Sequence, residues 1–426
     1  MVYVLSNTGQ PLMPTGNHAK VRVLLKNQKA KVVKRCPFTI KLMYESTTYT
    51  DLLTLGVDTG SATLATAVSD DNGNIFYMSE VTLRNDIKGR MVQRRMYRRN
   101  RRYRKTRYRA KRFSNRRNSI RKGRFSPTMR SKLHTHCKEV EYVKSILPVK
   151  RLVLETGIFD MRLMKNPALA SPKVRPWGYQ KGTNYGLANT KAKVLWRDRY
   201  TCQNCTGKRK NPRLEVHHIV YRSNGGSDTE DNLIVLCQTC HKAVHVGKVI
   251  LNLIGRRKGN LSYATQMNSI RIQLLRMYPD AVETFGYVTK ENRQIAGLPK
   301  EHHMDACAIA TGGIVPAFKS QTVYRKYSMS KGDYQQTKGI RSEQRMTTGK
   351  IYGFRKFDKV RYFGKEYFIK GRMASGYSVL MTADGQKADF SHMPKGYKTP
   401  KLSNLKRLEA RKSWMITEGM AMLNTA

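Results

Sequence analysis

The chain has 426 residues, 81 of them Lys or Arg against 29 Asp or Glu, for a formal charge of +52 and a pI near 10.3. That balance calls for a polyanionic partner touching most of the protein, while 39% apolar content still allows about two to four domains with real cores. The opening MVYVLSNTGQ lacks a basic-then-apolar signal, no apolar run approaches a membrane span, and the odd remainder among seven cysteines (Cys36, Cys137 and Cys307) argues against a disulfide framework; a reducing cytoplasm is expected.

In chain order, residues 1–50 alternate basic and apolar positions. Residues 21–33 read as a short helix followed by a strand, and Pro11-Leu12-Met13-Pro14 as a rigid turn; this is a small basic module without chemistry of its own. Residues 52–68 (LLTLGVDTGSATLATAV) read as an apolar strand ending at Asp58, a turn through Thr59-Gly60-Ser61, and a second strand. Asp71-Asn72-Gly73-Asn74 is a hairpin signal leading into a third strand, 75–83. A carboxylate at the end of a buried strand is costly unless it is paired or binds a metal. The alternative is an Asx turn in which Asp58 caps Gly60 or Ser61.

Residues 88–124 hold 19 Lys or Arg in 37 positions and no acid, leaving +33 for the rest of the chain. Like charges keep this run from folding on itself, and no apolar stripe docks it on a core. Arg94, Arg95, Arg98, Arg99, Arg101, Arg102, Arg104, Arg107, Arg109 and Arg112 can fork onto phosphates, with Tyr97, Tyr103, Tyr108 and Phe113 interleaved for stacking. The reading is a helix along an RNA or DNA backbone. A disordered basic tail would sit at a terminus, whereas this run lies between two segments that look folded.

Residues 150–156 (KRLVLET) form another apolar strand reaching an acid, Glu155, and residues 301–311 (EHHMDACAIAT) place Asp305 in the first turn of a helix. Ala306, Ala308 and Ala310 are small enough to pack that helix tightly on a sheet. Three acids of this kind suit two Mg²⁺ ions clamping a phosphodiester. His302 lies close to one turn before Asp305 and could orient or deprotonate the attacking water; spacing alone leaves His303 open.

Between these acids, residues 191–200 read as a leading helix, followed by Cys202-x-x-Cys205 and Cys237-x-x-Cys240 with 31 residues between the pairs. Two such knuckles predict one structural Zn²⁺. The long spacer carries Glu215, His217, His218, a polar loop over 222–231 and Asn232, with His241 beside Cys240 and His245 one turn on. That set predicts a ββα-metal site in which one histidine activates water and others hold a cation. Four cysteines already fill a tetrahedral zinc site, so the histidines are free for other work. Residues 353–390 suggest a small antiparallel β-barrel or sheet, and 400–426 a single helix.

The order of acid strand, arginine run, second acid, inserted histidine unit and H-x-x-D helix resembles the IscB family of transposon-encoded RNA-guided nucleases, relatives of the type II CRISPR effectors. The resemblance spans essentially the whole chain. It implies a PLMP domain at 1–50, a RuvC-like RNase H core split into 51–87, 125–190 and 251–318, a bridge helix at 88–124, an HNH nuclease at 191–250, and a β-rich domain at 319–426 that recognises guide RNA and a target-adjacent motif. It assigns Asp58, Glu155, His302 and Asp305 to the RuvC-like site. It makes His218 the HNH general base, with His217 and His241 near the Mg²⁺ and Asn232 in the motif. Tyr221 departs from the Pro common in relatives after His-His-Ile-Val. The implied partners are an omega guide RNA and a double-stranded DNA target, bound by a monomer in a ribonucleoprotein.

Two other readings use less of the sequence. A guide-independent resolvase or homing endonuclease explains the metal sites and leaves the arginine run underused. A non-enzymatic RNA-binding protein explains the charge and leaves both acid–histidine constellations as coincidence.

Overall fold

A computed structural model describes residues 1–104, 125–180, 185–207, 213–221, 228–251, 261–329 and 349–421. The expected nucleic-acid contacts Arg107, Arg109 and Arg112 lie outside these residues, and of Arg101, Arg102 and Arg104 only the helical backbone is described. The chain divides into two units, Met1–Gly157 with Gln266–Ala426, and Ile158–Thr265.

The first unit begins with β1 (Val2–Leu5), β2 (Pro11–Thr15), α1 (His18–Lys26), β3 (Ala30–Lys34) and β4 (Thr39–Leu42), a four-stranded sheet in the order β2-β1-β4-β3. The Pro-Leu-Met-Pro segment is therefore an edge strand, not the expected turn. Its prolines are tolerated because β2 has an open side and the pairing with β1 is irregular between Val2 and Val4, so neither removes a needed ladder bond.

The large sheet follows. β5 (Leu53–Asp58), β6 (Thr63–Ser69) and β7 (Asn74–Thr82) form an antiparallel meander, with Asp70 Oδ1 accepting from the Asn72 and Asn74 amides to close the hairpin. The helix α2 (Ile87–Arg104) then carries the start of the arginine run, and Asp86, immediately before it, pairs with Arg84 and Arg90. An acid placed there complements the helix dipole. α3 (Pro127–Lys144), capped by Ser126, leads into β8 (Val149–Thr156), which runs parallel to β5.

The second unit contains α4 (Met161–Lys165), α5 (Arg175–Gln180), α6 (Thr190–Arg197), β9 (Leu214–His218), β10 (Leu233–Cys237) and α7 (Gln238–His245). The expected HNH segment of 191–250 is thus grouped here with residues 158–190, which the RuvC-like core was expected to take. β9 and β10 pair antiparallel, setting His217 opposite Ile234 and His218 opposite Leu233. Arg197 and Asp198 tie α6 to this hairpin: Arg197 donates to the Leu233 carbonyl and Asp198 accepts from the Val235 amide.

α8 (Ser262–Met277) returns to the first unit, followed by β11 (Val282–Phe285), α9 (Gly286–Ile295), α10 (His302–Thr311), β12 (Ala317–Phe318), β13 (Thr322–Ser328), β14 (Lys359–Tyr362), β15 (Lys365–Arg372), β16 (Ser378–Met381), β17 (Lys406–Glu409) and β18 (Trp414–Met420). The large sheet has eight strands: β11-β8-β5-β6-β7-β13-β18, with β12 also on β7. β14 to β17 form the expected small antiparallel sheet, in the order β16-β15-β14-β17.

Two expectations for the C-terminal part fail. Residues 400–426 are not one helix, because β17 and β18 find pairing partners and Trp414, Met415 and Ile416 are buried, which overrides local helix propensity. β13 and β18 also extend the large sheet, so that sheet does not stop at residue 318. A buried ion pair fastens them: Lys326 Nζ lies 2.6 Å from Glu139 Oε1 on α3 and donates to the Tyr77 hydroxyl. All described cysteines are free thiols.

Candidate active sites

α10 lies across the large sheet because three small residues let it. A Cβ on Gly56 would stand 2.5 Å from the Ala310 amide nitrogen and 2.6 Å from the Ala306 carbonyl oxygen, so β5 can carry only glycine there. Ala306 and Ala310 then join Ala65, Ala67 and Met78 in one core. This close approach brings Asp305 beside the ends of β5 and β8, where Asp58 and Glu155 are neighbours in register. The carboxyl ends of parallel strands are where open α/β sheets place ligands.

The electrostatics show that the three acids share one environment. Burial, then the nearby Asp58 and Asp305, push the Glu155 carboxyl up to about 7, against the opposing influence of the neighbouring Thr289 hydroxyl. Burial and Asp58 likewise raise Asp305, partly offset by Arg293, whose Nε is 2.9 Å from Asp305 Oδ1. Gly286 at the start of α9 leaves room for Glu155, since a Cβ there would be 3.2 Å from Glu155 Oε1. Acids held together against repulsion fit a site made for divalent cations.

His302 Nδ1 is 2.8 Å from Asp58 Oδ2, and that hydrogen bond raises the imidazole above its ordinary value. His303, left open by spacing, faces the other way. It is buried, with Nδ1 2.7 Å from Glu80 Oε1 and Nε2 3.2 Å from Glu301 Oε2. Of the two, only His302 reaches the acid cluster. Arg293, Thr289 and Gly286 escaped the sequence reading; each sits on a helix that nothing local links to the acids.

In the smaller unit, the sulfurs of Cys202, Cys205, Cys237 and Cys240 lie within 4.8 Å of one another, with Cys205 Sγ 3.9 Å from Cys237 Sγ. A tetrahedral ion with bonds of about 2.3 Å sets its sulfurs about 3.8 Å apart. The free thiols and that spacing fit one Zn²⁺.

Beside them, nitrogens of His217, His241 and His245 also lie within 4.8 Å of one another. His241 Nδ1 is 2.7 Å from Glu215 Oε2, which fixes the tautomer and turns Nε2 inward, where it stands 3.3 Å from His245 Nε2. Burial first, then His241, His245 and His218, depress His217 to about 4, so it is neutral near pH 7 as a ligand must be. His218 stays outside this cluster. Its Nε2 is 2.7 Å from Asp228 Oδ1, and it shares an open cavity of about 540 Å³ with Glu215, Asp228 and His241. With Nε2 holding its proton toward Asp228, Nδ1 is left as the basic atom.

Asn232 has a different place from the histidines. Its side-chain oxygen accepts from the Val220 amide at 2.8 Å and its nitrogen donates to the Val220 carbonyl at 3.0 Å. It pins the chain after β9 to the start of β10. The sequence reading left His245 without a role and did not see Asp228, which looks like any loop acid.

Known proteins place these regions. Residues 2–182 match the RRXRR protein family and residues 202–247 the HNH endonuclease family. The pattern in the first name occurs as Arg98-Arg99-Asn100-Arg101-Arg102. The type IV methyl-directed restriction enzyme EcoKMcrA of Escherichia coli K12 is 42% identical over 71 residues, 15% of this chain and 25% of that protein. Two solved structures of Streptococcus thermophilus Cas9, with AGAA and GGAA PAMs, align at 12% identity and TM-score 0.33, covering 57% and 58% of this chain and 32% of theirs. The chain thus spans about a quarter to a third of the length of these relatives. It carries an RRXRR region and an HNH endonuclease domain in one mixed α/β protein, in keeping with an IscB-type nuclease.

Proposed function

We propose that the chain is a metal-dependent, RNA-guided DNA endonuclease. Its matches to the RRXRR and HNH endonuclease families support a nuclease of this type, and the guided, two-strand activity is our reading. The observation that carries it is the coexistence of two chemically distinct candidate sites with a helix exposing Arg94, Arg95, Arg98 and Arg99. A guide-free nuclease has no use for that arginine face, and a packaging protein has none for the sites.

In this reading an omega RNA pairs with one DNA strand and the duplex opens beside a short motif read by the C-terminal sheet. The arginines of α2 grip the RNA by its phosphates. The HNH site cuts the guide-paired strand. His218 Nδ1 takes the proton of the attacking water while Asp228 holds the ring, and Asn232 keeps the loop in place. His217, His241 and His245 would hold one divalent cation of the borderline kind that imidazole nitrogens suit. On the sheet, Asp58, Glu155 and Asp305 would hold the ions of the RuvC-like site, which cuts the displaced strand, and His302 orients or deprotonates water there. Cys202, Cys205, Cys237 and Cys240 would hold structural Zn²⁺. Bound divalent cations supply charge neutralisation at the attacked phosphate and the leaving oxygen. The particle is a monomeric ribonucleoprotein of the prokaryotic cytoplasm or nucleoid. Among the described residues no helix is long and apolar enough to cross a membrane.

The test is to sequence RNA that survives purification with the protein, then to digest duplex DNA matching it, in Mg²⁺, with each strand labelled. A discrete RNA and cuts in both strands of the matched duplex are expected. Cutting without any retained RNA would replace this reading with the guide-independent one.

A further inference from the structure

The small C-terminal sheet carries a conformational anomaly at its surface. β14 and β15 are joined by the two residues Phe363 and Gly364, with φ of +45° and +75°. Two positive φ values define the hairpin turn that favours Asn-Gly, and a bulky side chain at the first position is a true outlier. Burial does not offset the strain, because Phe363 is 54% exposed.

What the ring does instead is extend a ladder of aromatics out of the core. Phe390 and Tyr362 are buried with ring centroids 5.3 Å apart. Phe363 stands 4.6 Å from Tyr362 and 5.3 Å from Tyr397, which is itself 43% exposed. The Tyr362 hydroxyl donates to the Tyr397 carbonyl at 2.9 Å and so fixes the outer ring's segment. The two exposed rings rest on a rigid base and lose little freedom on binding.

Around them the charge is one-sided. Lys365, Lys395 and Lys398 are exposed neighbours in the chain, and residues 349–411 hold 15 Lys or Arg against 5 Asp or Glu. Rings for bases beside cations for phosphates are the two components of single-strand recognition. A duplex hides its base faces in the stack, whereas RNA loops offer unpaired bases with both faces free.

We propose that Phe363, backed by Tyr397, is a stacking platform for an unpaired RNA base. This rests on the RNA-guided reading for the identity of the RNA, but not for the contact itself. The probe is a 12-nucleotide oligouridylate carrying 5-iodouracil, cross-linked to the full-length protein and mapped by peptide mass spectrometry. Cross-links are expected in the peptides bearing Phe363 or Tyr397. Phe363→Asn installs the residue the turn prefers, so the melting temperature should hold while those cross-links vanish. Phe363→Gly, equally free at positive φ, is the second variant should the first fold poorly.

Oligouridylate affinity should fall about 5- to 100-fold at fixed salt, the loss expected for one stacked base. The log–log salt slope should not change, because no phosphate contact is removed. Cross-links confined to other peptides, unchanged affinity in both variants, or capture of oligodeoxythymidylate at Phe363 in preference to RNA would overturn the proposal. Cross-linking at Phe363 by a protein that retains no guide would leave this contact standing and remove the guided reading.

Discussion

The acid cluster on the large sheet is made of groups that repel one another, whereas the histidine cluster of the smaller unit is made of groups kept neutral. In the first, burial and then the closeness of the acids raise Glu155 and Asp305, while Arg293 lies against Asp305 and His302 hydrogen-bonds Asp58. In the second, His217 is pushed toward neutrality by burial, and Glu215 and Asp228 stand behind their histidines to fix which nitrogen is free. The supports differ as well. The acids rest on an eight-stranded sheet with its own core, while the histidines rest on two short strands and a helix that begins at a cysteine cluster.

That difference in support gives the largest expected effect. Cys202→Ser, or a strong zinc chelator, should unfold the smaller unit and abolish cutting of the guide-paired strand, since a module this small draws much of its folding energy from the ion. The large sheet should stay folded. Limited proteolysis mapped by mass spectrometry checks this: protection of 158–265 without zinc would show that the unit stands on its apolar contacts alone.

Next comes the chemistry. His218→Ala removes the proposed base but leaves the other histidines, and should slow the guide-paired-strand cut by about two to four orders of magnitude. Asp58→Ala should silence the other strand and leave RNA binding intact. Strand-specific labelling reads both, and loss of both cuts from either single change, with binding preserved, would end the division of labour.

A third and more graded effect concerns α2. Replacing Arg94, Arg95, Arg98 and Arg99 with Ala should lower the log–log salt slope of RNA binding by roughly 3, because each lost phosphate contact releases about one counterion fewer. An unchanged slope would mean that these exposed arginines do not touch phosphate.

The two sites were not equally legible in the sequence. Asp58 and Glu155 announce themselves because an acid closing an apolar strand is an anomaly that composition alone reveals, and the cysteine knuckles because their spacing is local. The partners are silent. Arg293 reaches Asp305 from another helix, and Gly56 becomes necessary only when α10 crosses it. Glu215 and Asp228 look like solvated acids until the β9–β10 hairpin and α7 bring histidines to them. The misread tail has the same cause: residues 406–420 have no strong strand pattern of their own, and β14 and β13 decide their conformation by pairing with them.

The smallest expected effect tests the electrostatic contrast directly. Glu155 titrates near 7 in the folded protein, above its value of about 4.3 in an unfolded chain. Between those values the folded state keeps a proton that the unfolded chain has released. Its contribution to stability is therefore present below the unfolded value and is lost as pH rises through 7. His217 runs the other way: depressed to about 4, its neutral form favours folding above the ordinary imidazole range, and that contribution is lost as pH falls toward 4. Removing each group should flatten opposite limbs of the stability profile. In Mg²⁺-free buffer, Glu155→Gln should gain melting temperature relative to the parent as pH rises from about 5 to about 8, and added Mg²⁺ should shrink that gain because a bound cation favours the ionised carboxylate. A melting-temperature difference that stays constant across that range, with and without Mg²⁺, would mean that Glu155 does not share its site with Asp58 and Asp305 in the way the sheet arranges it.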